Sequence, residues 1–338
     1  MNKRAVRQHV VPIMLLSGFT DASDQKTLWR YDKVQHGVIR TTPADAAVVK
    51  HFYDVPGTDP EYIERRHEKI ESNAGLALAK LRSRQGLTLT EFVDWALFVA
   101  YQSVRTPCDI ESQLATGKTG FKLMLQWLAS DPHKFEVVIR RLQEEEHVPK
   151  DADIEQARQD FLNWNVDFEP PRHEFLLGLI ELALAFAKLI VLMRWTILIA
   201  PRDCHFVCSD NPVYVEDPER NPFRTSGAGL ASSPTVELTC PMSSESAMLG
   251  TWQRGVRLQY RAVQPPVVRE VNKRTVLGAE RFVFGSRSDD RIARLVMKYS
   301  NAKPTAVMEK MVTEGDGLLT RLSHRTHPVK SIVEMMTR

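Results

Sequence analysis

Apolar and polar residues alternate with different periods in successive parts of the chain. Up to about residue 41, short apolar runs lie between Gly and polar residues, and this pattern predicts a β-hairpin formed by residues 28–32 and 36–41. From about residue 60 onwards, apolar residues recur at helical spacing. The predicted helices cover about 60–85, 88–105, 119–129, 133–146, 153–163 and 174–200. Thr88, with Glu91 three residues later, is a capping box that marks the start of the second helix.

After Pro201 the pattern changes to short β-like runs that Pro, Gly and Ser clusters separate. Strands are predicted at about 204–208, 235–240, 246–252, 256–263 and 280–285, and a helix at 288–299. Because neither terminal set of strands is long enough to form a stable sheet under so many helices, both sets are expected to share one β-layer. The expected fold is therefore α+β, with a mixed or antiparallel β-layer from both chain ends and a large helical insertion.

One discontinuous α+β domain is predicted over residues 1–300, with its helical part at about 60–200, followed by a C-terminal extension over 301–338. The most apolar segment, 175–200, is predicted to be a core helix rather than a membrane span, because it carries three charges. Glu181, Lys188 and Arg194 recur at intervals of seven and six residues, so they are expected along its least buried stripe.

The composition is that of an ordinary folded protein, with 43% hydrophobic and 26% charged residues in a chain of 338. The net charge of +3 is too small to indicate nucleic acid by itself. Basic residues dominate 251–298, which suits an anion-binding face, but ordinary surface charge gives the same pattern. Four cysteines make no disulfide framework at this length, and the N-terminal segment lacks a signal peptide's apolar region, so a cytoplasmic location is predicted.

The candidate chemistry centres on Ser209-Asp210-Asn211-Pro212, which ends the apolar run 204–208. A strand that ends in small polar residues holds them on a rigid element, and Pro212 makes the chain turn or follow a sheet edge. Asp210 suits a metal ligand, a general base or an Asx-turn cap. Ser209 lacks the Gly-x-Ser-x-Gly surroundings of many serine hydrolases.

A second candidate lies on the first long helix, where Glu64, His67, Glu68 and Glu71 are spaced i, i+3, i+4 and i+7 on one face. Carboxylates and an imidazole at this spacing suit a divalent metal. An exposed helix with local ion pairs to the neighbouring Arg and Lys residues has the same composition, so both interpretations stay open.

Three further polar positions have competing interpretations. Arg105 ends an apolar helix just before Thr106-Pro107, and it is either a C-terminal helix cap or a buried anion clamp. His9 stands in an apolar setting, where a structural role is the commoner one. Cys204 and Cys208 face one way on the predicted strand and are interpreted as buried free thiols, while His205 points the other way. The chain contains no nucleotide-cofactor motif.

Several short motifs occur together in a characteristic order. They are His9 with Pro12, Leu15, Leu16 and Phe19; Trp29-Arg30-Tyr31-Asp32; His51-Phe52-Tyr53; Glu64 with Glu68; Arg105 with Pro107; Ser209-Asp210-Asn211-Pro212; Pro241-Met242-Ser243; and Asn272 with Ala279 and Arg281. In these motifs the chain resembles a bacterial family, domain of unknown function 4238, over about residues 9–285. It departs from that family at Val10, where the family tends to carry an aromatic residue. The resemblance implies no activity, but it points to His9, Glu64, Glu68, Arg105, Asp210 and Asn272.

The first hypothesis about function is a metal-assisted hydrolase of phosphodiester or nucleotide substrates, in which Mg²⁺ or Mn²⁺ activates water. Its metal ligands would be Glu64, Glu68 and Asp210; its catalytic residues His9, Arg105 and Asp210; and its substrate-binding residues Ser209, Asn211 and Asn272. In this scheme His9 moves a proton and Arg105 binds the anionic group.

Two alternatives do not involve catalysis, so whether the protein is an enzyme stays open. The second hypothesis is a non-catalytic binding or sensor module, in which the same polar groups form a structural network between the helices and the sheet. The third is a nucleic-acid-binding protein that uses the basic C-terminal half. The expected ligand is a small molecule or a nucleic acid, and no membrane partner is expected.

Overall fold

The computed structural model describes residues 7–50, 60–163, 165, 172–219, 230–231, 233–302, 307–308, 312–314, 317–319, 322–323 and 327–337. The chain divides into two compact units, one formed by Met1–Ile110 with Leu177–Arg338 and the other by Glu111–Leu176. The larger unit begins with β1 (Arg7–His9), α1 (Ile13–Leu16), β2 (Leu28–Asp32), β3 (Val38–Thr41), α2 (Pro43–Ala46), β4 (Val48–Lys50), α3 (Pro60–Arg82) and α4 (Leu89–Gln102).

The helices that follow are α5 (Pro107–Ala129), α6 (Pro132–Glu144), α7 (Ile154–Leu162) and α8 (Arg172–Leu192). After α8 come β5 (Arg194–Ile199), β6 (Cys208–Ser209), β7 (Tyr214–Glu216), β8 (Glu237–Pro241), β9 (Ser246–Thr251), β10 (Leu258–Ala262), α9 (Pro265–Gly278), β11 (Phe282–Gly285) and α10 (Asp290–Lys298). Four short strands, β12 (Val307–Met308), β13 (Val312–Glu314), β14 (Gly317–Leu319) and β15 (Leu322–Ser323), precede α11 (Ile332–Thr337).

Strands from both ends of the chain share an antiparallel sheet with the order β3-β2-β11-β6, in which Phe284 pairs with Arg30 on one side and with Cys208 on the other. This arrangement confirms the α+β class and the pairing of N-terminal with C-terminal strands. A second, mixed sheet has the order β10-β5-β9-β8-β7, with β10 parallel to β5. Its strands all follow α8, so the β-structure forms two main sheets where the sequence predicts one layer.

The predicted helix over 174–200 is wrong at its C-terminal end. Helix α8 ends at Leu192, and Arg194–Ile199 forms β5, which lies between β10 and β9 in the mixed sheet. A strand with neighbours on both edges and buried side chains on both faces is a continuous apolar run, so its sequence period does not separate it from a helix. Glu181 and Lys188 are exposed on α8 as predicted, whereas Arg194 belongs to the strand.

No helix in the part of the chain that the structure describes is long and apolar enough to cross a membrane. The apolar side chains of the larger unit instead form a core between the mixed sheet and the helices. Phe92 of α4 stacks on Trp195 of β5, with ring centroids 3.6 Å apart and planes 10° from parallel. The predicted capping box at the start of α4 is confirmed, because Thr88 and Glu91 exchange side-chain-to-backbone hydrogen bonds.

Helix α9 is a second departure from the predicted elements, since no helix is expected between 263 and 280. Its two prolines occupy the first turn, where the missing N–H groups need no partner, so they start the helix instead of breaking it. Val267, Val268 and Val271 of α9 are buried in the main core. Asn272 and the lining of the cavity described below depend on this helix.

The smaller unit, Glu111–Leu176, has a core of its own. Ala129, Phe135 and Ile139 are buried together, and the Phe135 ring meets the edge of Phe161 at 5.7 Å. The side chain of Arg158 on α7 donates a hydrogen bond to the Ala129 carbonyl at 3.0 Å and so ties α7 to the end of α5.

Candidate functional site

Asp210 is buried and bound to backbone amides. Its Oδ1 accepts the N–H of Glu280 at 2.8 Å, and its Oδ2 accepts the N–H groups of Arg281 at 2.8 Å and Phe282 at 2.7 Å. Burial raises the pKa of Asp210, and the hydrogen bonds from the three backbone N–H groups partly offset this rise. The carboxylate therefore fixes the loop that connects α9 to β11.

Two of the three predicted substrate-binding residues, Ser209 and Asn272, also bind backbone. Asn272 donates to the His205 carbonyl at 2.9 Å and accepts the Val207 N–H at 3.0 Å, so it holds the segment that enters β6. Ser209 Oγ donates to the Asn211 carbonyl at 2.6 Å. The Asn211 side-chain oxygen is buried and has no hydrogen-bond partner in the described part of the molecule.

Arg105 is 1% exposed. Of its two interpretations from the sequence, it fits the buried anion clamp. Its Nε donates to the Val10 carbonyl at 3.1 Å, and its guanidinium pairs with Glu71 Oε1 of α3 at 2.8 Å. The anion that Arg105 binds is therefore a carboxylate of the protein itself. His9 immediately precedes Val10 in the chain, and its Nε2 is 3.1 Å from the Ala44 carbonyl oxygen.

The acidic face of α3 is divided between core and solvent. Glu68 is exposed, and the side chain of Glu64 lies outside the described part of the chain. His67 is buried against the Tyr101 ring, with centroids 5.1 Å apart, and burial followed by the charge of Arg105 lowers its pKa well below 6.5. Among the residues that the structure describes, no group of three or more His, Cys, Asp or Glu side chains could hold a metal ion. The predicted set of Glu64, Glu68 and Asp210 stays a prediction.

A cavity of about 150 Å³ lies between the segment before β6, helix α9 and the start of α10. Most of its lining surface is apolar. The lining residues are Cys204, His205, Val268, Arg269, Asn272, Asp289, Arg291, Ile292 and Leu295.

His205 is a buried polar group of the cavity with which no described residue pairs. Its side chain is 8% exposed, and neither ring nitrogen has a hydrogen-bond partner among the residues described. Its Nε2 is 3.9 Å from Asp289 Oδ2, which is too long for a hydrogen bond. Burial, reinforced by the charges of Arg287 and Arg291, lowers the pKa of His205 to about 4. The imidazole is therefore neutral at pH 7, with one nitrogen that donates and one that accepts.

The other side of the cavity is held rigidly. Asp289 caps α10 by accepting the Arg291 N–H at 2.8 Å, and its carboxylate pairs with the Arg291 guanidinium at 3.0 Å. Its own N–H donates to the Tyr31 hydroxyl at 2.9 Å, and that hydroxyl donates to the Arg287 carbonyl at 2.9 Å. Burial raises the pKa of Tyr31 to about 12, so the hydroxyl keeps its proton.

An open groove of about 670 Å³ adjoins the cavity and shares Asp289 and Arg291 with it. The remaining residues of the groove are Asp203, Arg287, Ser288, Asp290 and Arg294. Arg287 and Arg294 are exposed, so the entrance to the cavity carries solvent-accessible cationic side chains.

The sequence does not reveal this site because its walls come from distant segments. His205 is visible only as one residue of an apolar run, and three of the other eight lining residues belong to α9, which the apolar pattern does not predict. A polar residue between buried apolar neighbours is the one signal that was present.

Together, the two sheets, the helices on them and the cavity define an α+β protein with a small, partly open site beside α9. A family model matches residues 7–289, and the chain belongs to this family, described as a protein of unknown function, DUF4238. The resemblance seen in the short motifs is thereby confirmed. Neither the curated proteins nor the solved structures contain a match to the chain.

Proposed function

We propose that this protein binds a small molecule in the cavity at His205 and acts as a non-catalytic binding or sensor module. The observation that carries the proposal is a buried imidazole whose two nitrogens have no partner in the described residues. A buried polar atom without a hydrogen bond costs about 1–3 kcal/mol. Such atoms are rare in native proteins, so each needs an explanation. A bound ligand that forms hydrogen bonds with the ring supplies one.

The shape of the site supports the same function. Small-molecule sites are mostly apolar concavities with a few placed polar groups, and this cavity has an apolar lining, one neutral imidazole and a cationic entrance. The rigid contacts of Asp289 and Asn272 hold both walls before any ligand arrives. A preformed site lowers the entropic cost of binding.

Binding is better supported than hydrolysis by the same residues. Asp210 uses both carboxylate oxygens on three backbone amides, and Arg105 is paired with Glu71. Cys204 lines the cavity, but His205 makes no hydrogen bond to it, so the thiol lacks the adjacent base that nucleophilic catalysis requires. A cytoplasmic location is part of this proposal.

The test is a fragment screen read at the histidine rings. Protein labelled with ¹⁵N in its imidazoles is mixed with neutral and anionic fragments of up to about ten heavy atoms, a size set by the small cavity. We expect a subset of fragments to shift one imidazole signal that is missing from the His205→Leu variant. The same fragments should raise the melting temperature of the wild type and leave that of His205→Leu unchanged.

His147→Leu is the matched control, because His147 is exposed and lies outside the cavity. This variant should respond to fragments as the wild type does. If fragments shift other imidazole signals but never that of His205, the proposed function is wrong.

A further inference from the structure

We infer that the ligand is a small monoanionic acid that carries one ring-sized apolar group and an uncharged hydrogen-bonding atom on that group. This inference rests on the proposed binding function. The apolar group would occupy the cavity, the uncharged atom would pair with His205, and the acid group would lie at the arginines of the adjoining groove.

The size of the cavity limits the buried group. A protein cavity of 150 Å³ lined by apolar side chains is large enough for benzene, and this cavity has about that volume. Val268, Ile292 and Leu295 supply the apolar surface around it. A group of about six to eight heavy atoms fits, so the rest of any larger ligand must extend into the groove.

The state of His205 decides the polarity of the buried atom. At neutral pH the ring is uncharged, because its pKa is about 4. An unpaired charge in an apolar cavity would be costly, whereas a hydroxyl or carbonyl costs little once the imidazole pairs with it. Because a neutral imidazole has one donor and one acceptor, a hydroxyl can use either nitrogen.

The charges at the entrance decide the sign of the ligand. Four arginines (Arg269, Arg287, Arg291 and Arg294) and three aspartates (Asp203, Asp289 and Asp290) line the cavity and groove, which leaves one net positive charge. Arg291 is occupied by Asp289, but no ion pair to a described residue engages Arg269 or Arg294. A monoanion such as a carboxylate neutralises this excess, and a dianionic phosphate would reverse it.

The experiment titrates the wild-type protein with 4-hydroxybenzoate, benzoate, 4-hydroxybenzamide and phenyl phosphate, followed by calorimetry and by the His205 imidazole signal. 4-Hydroxybenzoate should bind most tightly. Benzoate should lose about two- to tenfold in affinity, because it lacks the hydroxyl that pairs with His205. The neutral amide should lose about two- to fivefold, because it lacks the charge that the exposed arginines attract.

Variants separate the two ends of the ligand. Arg294→Gln should weaken 4-hydroxybenzoate about two- to fivefold and leave the amide unchanged. Arg254→Gln, which alters an exposed arginine outside the groove, should change neither. Higher ionic strength should weaken the acids more than the amide, since screening acts on the charged contact.

Each remaining outcome overturns a definite claim. If the amide binds as tightly as the acids, or phenyl phosphate binds most tightly, the monoanion class is wrong while the binding function stands. If benzoate matches 4-hydroxybenzoate, the uncharged atom at His205 is wrong. If none of the four probes shifts the His205 signal but neutral fragments do, the ligand class fails alone; if no compound shifts it, the proposed function fails as well.

Discussion

Asp210 and His205 lie five residues apart in one buried segment, and the fold treats them in opposite ways. Asp210 has three backbone N–H groups on its carboxylate, whereas His205 has no partner on either ring nitrogen among the residues described. Both side chains are more than nine-tenths buried. The difference indicates that Asp210 serves the stability of the fold; under the proposed function, His205 serves a ligand.

The comparison extends to their neighbours. Asn272 binds the backbone of His205 and Val207 through both ends of its amide, so it fixes the main chain from which the His205 ring projects. The backbone at His205 is therefore held by hydrogen bonds, as is the backbone at Asp210. Because the main chain around His205 is held in place, the lack of described partners for the ring is a local property of the cavity and not a sign of loose packing.

The largest effect that separates the two residues is expected from Asp210→Ala. Three amides, two in the loop after α9 and one at the start of β11, would lose their acceptor, and the free energy of unfolding should fall by about 3–5 kcal/mol. Urea denaturation followed by circular dichroism measures this change. Asp203→Ala, on the exposed part of the same segment, should change it by less than about 0.5 kcal/mol.

A loss below about 1 kcal/mol for Asp210→Ala would contradict the structural role, because the loss of one ordinary hydrogen bond already costs that much. Asp210→Asn is a milder form of the same test. The amide keeps one oxygen for the N–H donors, so about 1–3 kcal/mol should be lost.

The second-largest effect is expected from Asn272→Ala. This substitution removes the side-chain donor and acceptor that bind the backbone just before β6. The free energy of unfolding should fall by about 2–3 kcal/mol, since the His205 carbonyl and the Val207 N–H are left unpaired. The measurement is the same denaturation curve. Asn73→Ala on the exposed face of α3 serves as the control, where stability should be unchanged or slightly higher; an equal loss in both variants would contradict the assigned role.

Local signals in the sequence were enough for part of the fold. The capping box of α4, the hairpin of β2 with β3 and the exposed positions of Glu181 and Lys188 each depend on residues a few positions apart. The strand β5 and the helix α9 were missed for a physical reason. The apolar run of β5 is buried on both faces by elements far away in the chain, and burial removes the periodic contrast that a sequence pattern needs. Helix α9 begins with two prolines, which elsewhere break a helix, and it buries polar residues such as Asn272 and Arg274.

The same limit applies to the site. The sequence identifies Asp210 as a notable polar residue, but its three amide partners lie 70 to 72 positions away, so its structural role is not visible locally. His205 is assigned correctly to an apolar run, yet its cavity exists only because α9 and α10 pack over it. The sequence motif therefore points to Asp210, which is paired within the fold. Only the three-dimensional contacts reveal His205, whose ring has no described partner.

A third effect, smaller than these for each pH unit, concerns pH. The pKa of His205 is about 4 in the folded protein and near 6.5 in the unfolded chain, so between these values only the unfolded chain binds a proton there. The free energy of unfolding should therefore fall as pH is lowered from about 6.5 towards 4, and His205 should contribute up to roughly 1 kcal/mol per pH unit to that slope. Asp289 opposes this shift of the pKa, and Arg287 and Arg291 reinforce it.

Stability of the wild type and of His205→Leu, measured at several pH values in this interval, checks the slope. His67 has a lowered pKa as well and is retained in both proteins, so the difference between the two curves isolates His205. Parallel curves would mean that His205 takes up its proton equally in the folded and unfolded states.

The smallest effect should come from His205→Leu at pH 7, and it is the sharpest test of the comparison with Asp210. Leucine fills a similar volume and removes two buried polar atoms that have no partner in the described residues. Replacing such atoms with apolar ones is close to neutral or stabilising, so the free energy of unfolding should stay within about 0.5 kcal/mol or rise by up to about 1 kcal/mol. A loss of 2 kcal/mol or more would show that the protein itself pairs with the ring, and His205 would then join Asp210 as a structural residue. An unchanged free energy of unfolding together with the loss of fragment binding would support a role for the His205 ring in ligand binding.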